Sequence, residues 1–394
     1  MGVEYVVRTA ERAGVRRWVA VVAVAVGTFL LVTAEQLPVG LLTPVGADLR
    51  VTDGVAGLMV TVPGIVAAVA APLVPVLVGR LDRRVLLGAL MALMTLANAL
   101  SALAPTYPVL IGSRVLVGVA IGGFWAVAGG LATRLVPGPD VPRATALIFG
   151  GVAAANVLGV PIGTLLGGVA GWRVAFGALS ALAVVVLVAL FALLPRLVAE
   201  QPVRPGALLA QLRNRGVATG ILVTLLVVTG HFAAYTFVSP VLQERAGVPV
   251  ALVGPLLLGF GAAGIVGNFV AGVAVARRLR RTVLGIVVAL ALVLALHALL
   301  GTGAVGGIAL LLLWGLAYGG VSVSLQSWMI AAAPRAVEAA TALWVSVFNL
   351  AIGLGALVGG LVVDHTALVG VLWLAVALFL FAAVAVRRGG RPTT

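Results

Sequence analysis

Along this chain, long apolar runs alternate with short polar or arginine-bearing breaks. A helix needs roughly 20 mostly apolar residues to cross a bilayer, and twelve runs meet that length. They cover residues 17–43, 54–78, 85–104, 108–134, 143–168, 173–194, 216–243, 249–275, 283–300, 305–332, 339–363 and 368–386. The pattern predicts an all-α polytopic membrane protein. The first run, WVAVVAVAVGTFLLV (18–32), follows Arg8, Arg12, Arg16 and Arg17 and leads into the small residues VTA (32–34), which is similar to a secretory signal. It is longer than a signal's apolar core and many more runs follow, so it reads as the first span.

The order of the breaks carries a repeat. GRLDRR (79–84) follows span 2 and ARRLRR (276–281) follows span 8; they start 197 positions apart, half the 394-residue chain. NVLGVPIGTLLGG (156–168) in span 5 and NLAIGLGALVGG (349–360) in span 11 end 192 positions apart. Two matching pairs at nearly one offset predict two six-helix bundles in the same orientation, related by pseudo-symmetry. The alternative is chance recurrence of arginine loops and GxxxG patterns in a glycine-rich membrane protein. The predicted organisation is an N-terminal bundle over 1–194, a linker over 195–215 and a C-terminal bundle over 216–394.

Composition agrees with lipid as the main solvent, since 62% of residues are hydrophobic and only 9% charged. The formal charge of +14 comes entirely from arginines, in short clusters between apolar runs rather than on one basic face. That placement argues for topology signals and against nucleic-acid binding. With both termini in the cytoplasm, only Arg50, Arg114, Arg173 and Arg245 fall outside inward loops, tails and helix ends. The expected location is the cell's inner (plasma) membrane. Cysteine is absent, which removes thiolate chemistry and cysteine metal sites. No metal site, cofactor or catalytic residue is expected. There is no HExxH motif and the three histidines are scattered, so an embedded enzyme has no residues to work with.

In this order, TAEQLPVGLL (33–42), RVLVG (114–118), LGVPIG (158–163), TGHFAAYTFVSP (229–240), GIVGN (264–268), WGLAYGG (314–320), LQSW (325–328) and APRAVEAATALWVSVFNLAIGLGALVGG (333–360) resemble the major facilitator superfamily. The likeness is to its twelve-helix drug:proton antiporters, in the branch of sugar-efflux and arabinose-efflux-like permeases, and it covers the whole chain. Two motifs depart from the family. In the loop pattern G-x-x-x-D-R-x-G-R-R, aligned on Arg83 and Arg84, Pro75 takes the first glycine position, Gly79 replaces the acid and Asp82 the later glycine. In this gating loop of Asp82, Arg83 and Arg84, the contact made by the missing acid would have to come from Asp82 or be absent. The span-4 pattern R-x-x-Q-G keeps Arg114 and Gly118 but has Val117 for Gln. The span-5 antiporter motif is approximated by Gly159, Pro161, Gly163, Gly167 and Gly168. The resemblance implies export, and it places the contact of this glycine stripe between the two bundles; packing within one bundle is the alternative.

Candidate chemistry is sparse. An ionisable residue at bilayer depth is a functional-site hypothesis by default. Of the eleven acids, only Glu35 falls well inside a span, and Arg114 is the matching arginine. From the predicted outer ends of spans 1 and 4, a rise of about 1.5 Å per residue puts them about 11 Å and about 9 Å deep. Burial favours a neutral carboxyl and a nearby cation favours a charged one, so movement of Arg114 or entry of substrate could load or release a proton. A fixed Glu35–Arg114 ion pair, or a Glu35 that reaches water, is the bland alternative. Pro38 would bend span 1 and free a backbone carbonyl. His231 and Tyr235 share one face of span 7, where His231 either couples protons or bonds helix to helix. Asn156, Asn268, Gln326 and Asn349, with the aromatic pairs Phe124/Trp125 and Trp344/Phe348, either line a substrate cavity or pack helices. His297 and His365 read as interfacial.

The expected function is proton-coupled efflux of drug-like amphipathic compounds or sugars by alternating access. An uptake symporter or uniporter for a small nutrient is the alternative. Partners are a small-molecule substrate, protons and the bilayer, with no nucleic acid, and one chain is expected to function as a monomer.

Overall fold

A computed structural model describes residues 14–78, 81–197, 211–301 and 303–389. Gly79 and Arg80 of the first loop, and residues 198–210 of the linker, lie outside the described residues. The helices follow the apolar runs: span 1 is Val15–Leu49, span 2 Leu58–Val78 after the short turn Asp53–Ala56, span 3 Arg83–Leu103, and span 4 Tyr107–Leu135. Span 5 runs as Val141–Ala154, a π-helical turn Ala155–Gly159 and Val160–Ala170, and span 6 is Trp172–Leu193. Span 7 is Arg215–Tyr235, extended by Val238–Pro240 and a π-helical turn Val241–Arg245. Spans 8 and 9 form one stretch, Val250–Leu300, broken at Arg278, whose φ of −151° and ψ of 64° interrupt the helix. Span 10 is Ala304–Gly319 and Val321–Ala332, span 11 Val337–His365 and span 12 Leu368–Arg388. The break at Arg278 sits inside ARRLRR, so the two predicted spans survive although their loop is almost wholly helical.

These helices form two bundles with one arginine-rich face, which carries both described ends of the chain, and one arginine-poor face. Spans 1–6 pack mainly on one another, as do spans 7–12. The bundles meet where small residues let backbones touch. Gly64 of span 2 lies against Gly353 and the Asn349 carbonyl of span 11, while Gly254 and Gly261 of span 8 lie against Pro161, Leu165, Asn156 and Val157 of span 5. Nearer the arginine-poor face, Thr52 Oγ1 donates to Asp364 Oδ2 (2.8 Å) and the Gly54 N–H donates to Asp364 Oδ1 (3.0 Å). Among the described residues no comparable packing joins the arginine-rich ends of spans 4, 5, 10 and 11. The molecule is sealed across its arginine-poor side.

The span-5 stripe corrects one expectation. A Cβ at Gly159, Gly163 or Gly167 would meet Thr33, Leu37 or Leu41, all on span 1 of the same bundle. The inter-bundle contact is made by the other side of the same segment. His297 is also misplaced by sequence: it is fully buried, because the chain after span 7 folds over the end of span 9, where the Arg245 guanidinium donates to the Ala298 carbonyl. His365 is exposed, as expected.

In the arginine-rich loop, Asp82 caps span 3 by accepting from the Arg84 N–H (2.8 Å) and also accepts from the Leu197 N–H (2.9 Å). The Arg83 N–H donates to the Leu197 carbonyl (2.9 Å), and the Arg84 guanidinium donates to the Phe191 carbonyl at the end of span 6. Asp82 thus ties the loop to its own bundle.

Glycine packing within the C-terminal bundle yields a stability prediction. Gly319 of span 10 lies against the Gly264 backbone of span 8, which cannot move aside as a side chain can. Gly319→Leu is expected to destabilise the chain by about 1–3 kcal/mol, the usual effect of overpacking. Thermal unfolding in detergent measures this, and an unchanged midpoint would mean that spans 8 and 10 do not meet there.

Candidate transport site

Span 1 reaches the middle of the molecule with two prolines inside it, Pro38 and Pro44. Pro38 has no N–H to offer the carbonyl four residues earlier, which is that of Ala34. Arg114 of span 4 takes the vacancy: its Nη2 donates to Ala34 O at 2.7 Å. The peptide group so held is the one immediately before Glu35. The proline that looked in sequence like a kink therefore supplies the acceptor that docks the arginine beside the acid.

Glu35 is 6% exposed and Arg114 is fully buried, and the two lie close enough to interact electrostatically. Yet they are not a fixed pair. No salt bridge joins them, whereas Arg173 and Asp48 form one at the far end of span 1. Glu35 Oε1 and Arg114 Nε and Nη1 have no hydrogen-bond partner. The Arg114 guanidinium lies 5.5 Å from the centre of the Phe176 ring. An acceptor and two donors stand unmet in a buried place, an arrangement that ordinarily costs stability.

The C-terminal bundle presents an aromatic cluster. His231 stacks on Tyr318 (ring centres 3.3 Å apart, 6° between planes) and on Tyr235 (4.9 Å, 18°). Tyr235 stacks on Phe260 at 4.9 Å, and Trp314 meets His231 edge-on at 5.5 Å. The Trp314 indole Nε1–H donates to His231 Nδ1 at 3.2 Å. An indole can only donate, so this His231 is neutral with its proton on Nε2. Tyr318 lies within electrostatic reach of Glu35, which joins the cluster to the acid across the bundle boundary.

The other predicted cavity residues scatter. Phe124 and Trp125 meet edge-on (6.3 Å, 88°), and Trp125 leans on Phe149 of span 5 at 5.8 Å. Trp344 packs on Phe348 (5.3 Å) and donates to Thr224 Oγ1 of span 7 at 3.1 Å. Asn349 donates to its own helix at the Val345 carbonyl (2.9 Å), Asn156 and Asn268 are exposed, and Gln326 is half-buried. Pro38 is buried. Sequence reasoning missed Tyr318, Trp314 and Phe260. Trp314 and Tyr318 stand at i and i+4, the spacing that singled out His231 and Tyr235.

Comparison with known proteins fits this architecture. The sequence model of the Major Facilitator Superfamily matches residues 24–339. The Pseudomonas aeruginosa protein named transcription regulatory protein OpdE is 38% identical over 371 residues, 93% of this chain and 92% of its own. The Salmonella paratyphi A purine ribonucleoside efflux pump NepI is 34% identical over 376 residues, 95% of each chain. Among solved structures, a bacterial homologue of the human lysosomal transporter Spinster, in an inward-facing and unoccupied conformation, superposes with a TM-score of 0.73 at 14% identity, covering 95% of this chain and 96% of that one. The human organic anion transporter MFSD10 does so with 0.67 at 18% identity, covering 94% and 99%. The protein is a multi-pass membrane transporter, and the chain belongs to the major facilitator superfamily.

Proposed function

We propose that this protein is a proton-driven exporter of small molecules that carry an aromatic ring, with purine ribonucleosides as the first candidates. The observation that carries the reading is the unpartnered Glu35 carboxyl beside Arg114, within electrostatic reach of Tyr318. Glu35 can take a proton without breaking a hydrogen bond. Protonating His231 would set Nδ1–H against the Trp314 N–H and undo the bond between them. Glu35 is therefore the proton carrier, and His231 is a wall of the substrate site. Arg114, freed of a competing pair, exchanges its attraction between the charged carboxylate and the polar groups of a bound substrate. Proton and substrate then exclude each other, which is what antiport requires.

The arginine-rich face is the cytoplasmic one, by the usual bias of arginine toward inward loops, which puts both termini inside. The sealed side then faces outward, and the site awaits substrate from the cytoplasm. The name carried by the NepI relative supports export, and it narrows the drug-or-sugar expectation to molecules such as nucleosides, which combine a flat base with a polar sugar. The name carried by the OpdE relative belongs to another class, and a buried, unpaired acid has no evident use in a regulator.

Stacking supplies the test of substrate class. Tyr318→Ala is expected to weaken nucleoside binding about fivefold, from the loss of about 1 kcal/mol of ring stacking, with Tyr318→Phe near wild type. Titration of adenosine and of a sugar lacking a base into purified protein distinguishes the cases. Equal loss for both ligands would remove the aromatic recognition.

A further inference from the structure

We propose that the joint between spans 8, 9 and 12 on the arginine-rich face is a binding site for the headgroup of an anionic phospholipid. The two segments that meet there carry six arginines, Arg277, Arg278, Arg280, Arg281, Arg387 and Arg388, and neither ARRLRRT (276–282) nor VAVRRG (384–389) contains an acid. They are brought together by specific bonds. Arg280 Nε donates to the Val386 carbonyl at 2.9 Å and its Nη2 donates to the Arg387 carbonyl. A guanidinium at a helix C-terminus is favourable in itself, because it meets unpaired carbonyls and the negative end of the dipole. Here it also ties the segment that carries the loop's other arginines to the end of span 12, and five of the six arginines are exposed.

The pseudo-symmetric joint of the other bundle shows what this one lacks. There Arg84 donates to the Phe191 carbonyl at the end of span 6, the same kind of bond, but Asp82 sits among the arginines and accepts from Arg84 and Leu197. The residue 197 positions after Asp82 is Leu279. One joint carries its own counter-charge; the other leaves that charge to be supplied from outside the chain.

The surroundings fit a lipid. Below Arg281, Gly285, Val288 and Leu292 follow at helical spacing, all exposed, and a Cβ at Gly285 would meet nothing within 4 Å. Below Arg388, Val384 and Phe381 are 47% and 65% exposed on one face of span 12. Each stripe leads from a guanidinium into the hydrocarbon layer, so a phosphodiester held by the arginines has apolar surface beneath it for its acyl chains. A free phosphate would use only the upper half of this arrangement.

Native mass spectrometry of the full chain in phosphatidylcholine nanodiscs with added phosphatidylglycerol tests the assignment. Arg281→Gln/Arg388→Gln is expected to weaken phosphatidylglycerol retention about 30-fold, at about fivefold per arginine. The control Arg16→Gln/Arg17→Gln, also exposed on the arginine-rich face, is expected to leave retention unchanged. Equal loss in the control would reduce the effect to diffuse surface charge and overturn the site. Gly285→Leu keeps every charge and blocks the apolar stripe, so retention should fall with it too. Unchanged retention in that variant overturns the lipid assignment even where the double variant fails to elute as a single species. Excess inorganic phosphate is expected not to displace the lipid; displacement would make this a free-anion site.

Discussion

Gly54→Leu is expected to jam the arginine-poor side open and lower transport at least tenfold. Three contacts converge on this position: the Gly54 N–H and Thr52 Oγ1 both bond the Asp364 carboxylate, and a Cβ at Gly54 would collide with that carboxylate and with the Gly360 carbonyl. The seal is thus a turn of one bundle inserted under an acid of the other. Hydrogen bonds to a charged group are worth about 1.5–3 kcal/mol each, and tenfold in a population needs only about 1.4. A leucine both breaks the bonds and holds the surfaces apart. Asp364→Asn keeps one acceptor and the open space, so its effect should be milder. The chain has no cysteine, so one introduced at Thr61, which is 3% exposed beneath the seal, reports closure directly. Rapid labelling of that cysteine by a membrane-impermeant reagent from the arginine-poor side is expected in Gly54→Leu and absent without it. Equal protection in both would mean that Gly54 and Asp364 do not govern the seal.

Glu35→Gln is expected to abolish uphill export while leaving downhill exchange. For exchange of one proton against a neutral substrate, a membrane potential contributes about 2.3 kcal/mol per 100 mV, enough for roughly 50-fold accumulation. Glutamine keeps the size and polarity of the side chain but cannot carry the charge, so accumulation should collapse to the ratio that diffusion gives. Pro38→Ala should give a weaker form of the same defect, because it returns an N–H to compete with Arg114 for the Ala34 carbonyl. Uptake of labelled adenosine into inverted vesicles, energised or not, measures both. Uphill accumulation by Glu35→Gln would transfer the coupling role to another group.

The spans and the bundle repeat were legible because lipid imposes a simple rule: every crossing segment must be long, apolar and helical. Glu35 and Arg114 stand out for the same reason, as charges in otherwise apolar spans, and the structure buries both. What the sequence withheld is partner identity. The Gly159–Gly163–Gly167 spacing marks a close helix approach, but nothing in it distinguishes span 1 from the opposite bundle. Pro38 announces a free carbonyl without naming Arg114 as its taker. His297 stands near the end of its span and reads as interfacial, because the residues that cover it come from the chain after span 7. Nothing in the sequence singles out Trp314, Tyr318 and Phe260 as a group; three spans place them around His231.

If Glu35 surrenders its proton when substrate binds, adding adenosine to the protein in weakly buffered detergent solution releases protons. Release from wild type that vanishes in Glu35→Gln, while adenosine still binds both proteins, is the predicted result. Release that persists in Glu35→Gln, or binding to wild type with no release at all, would contradict the account.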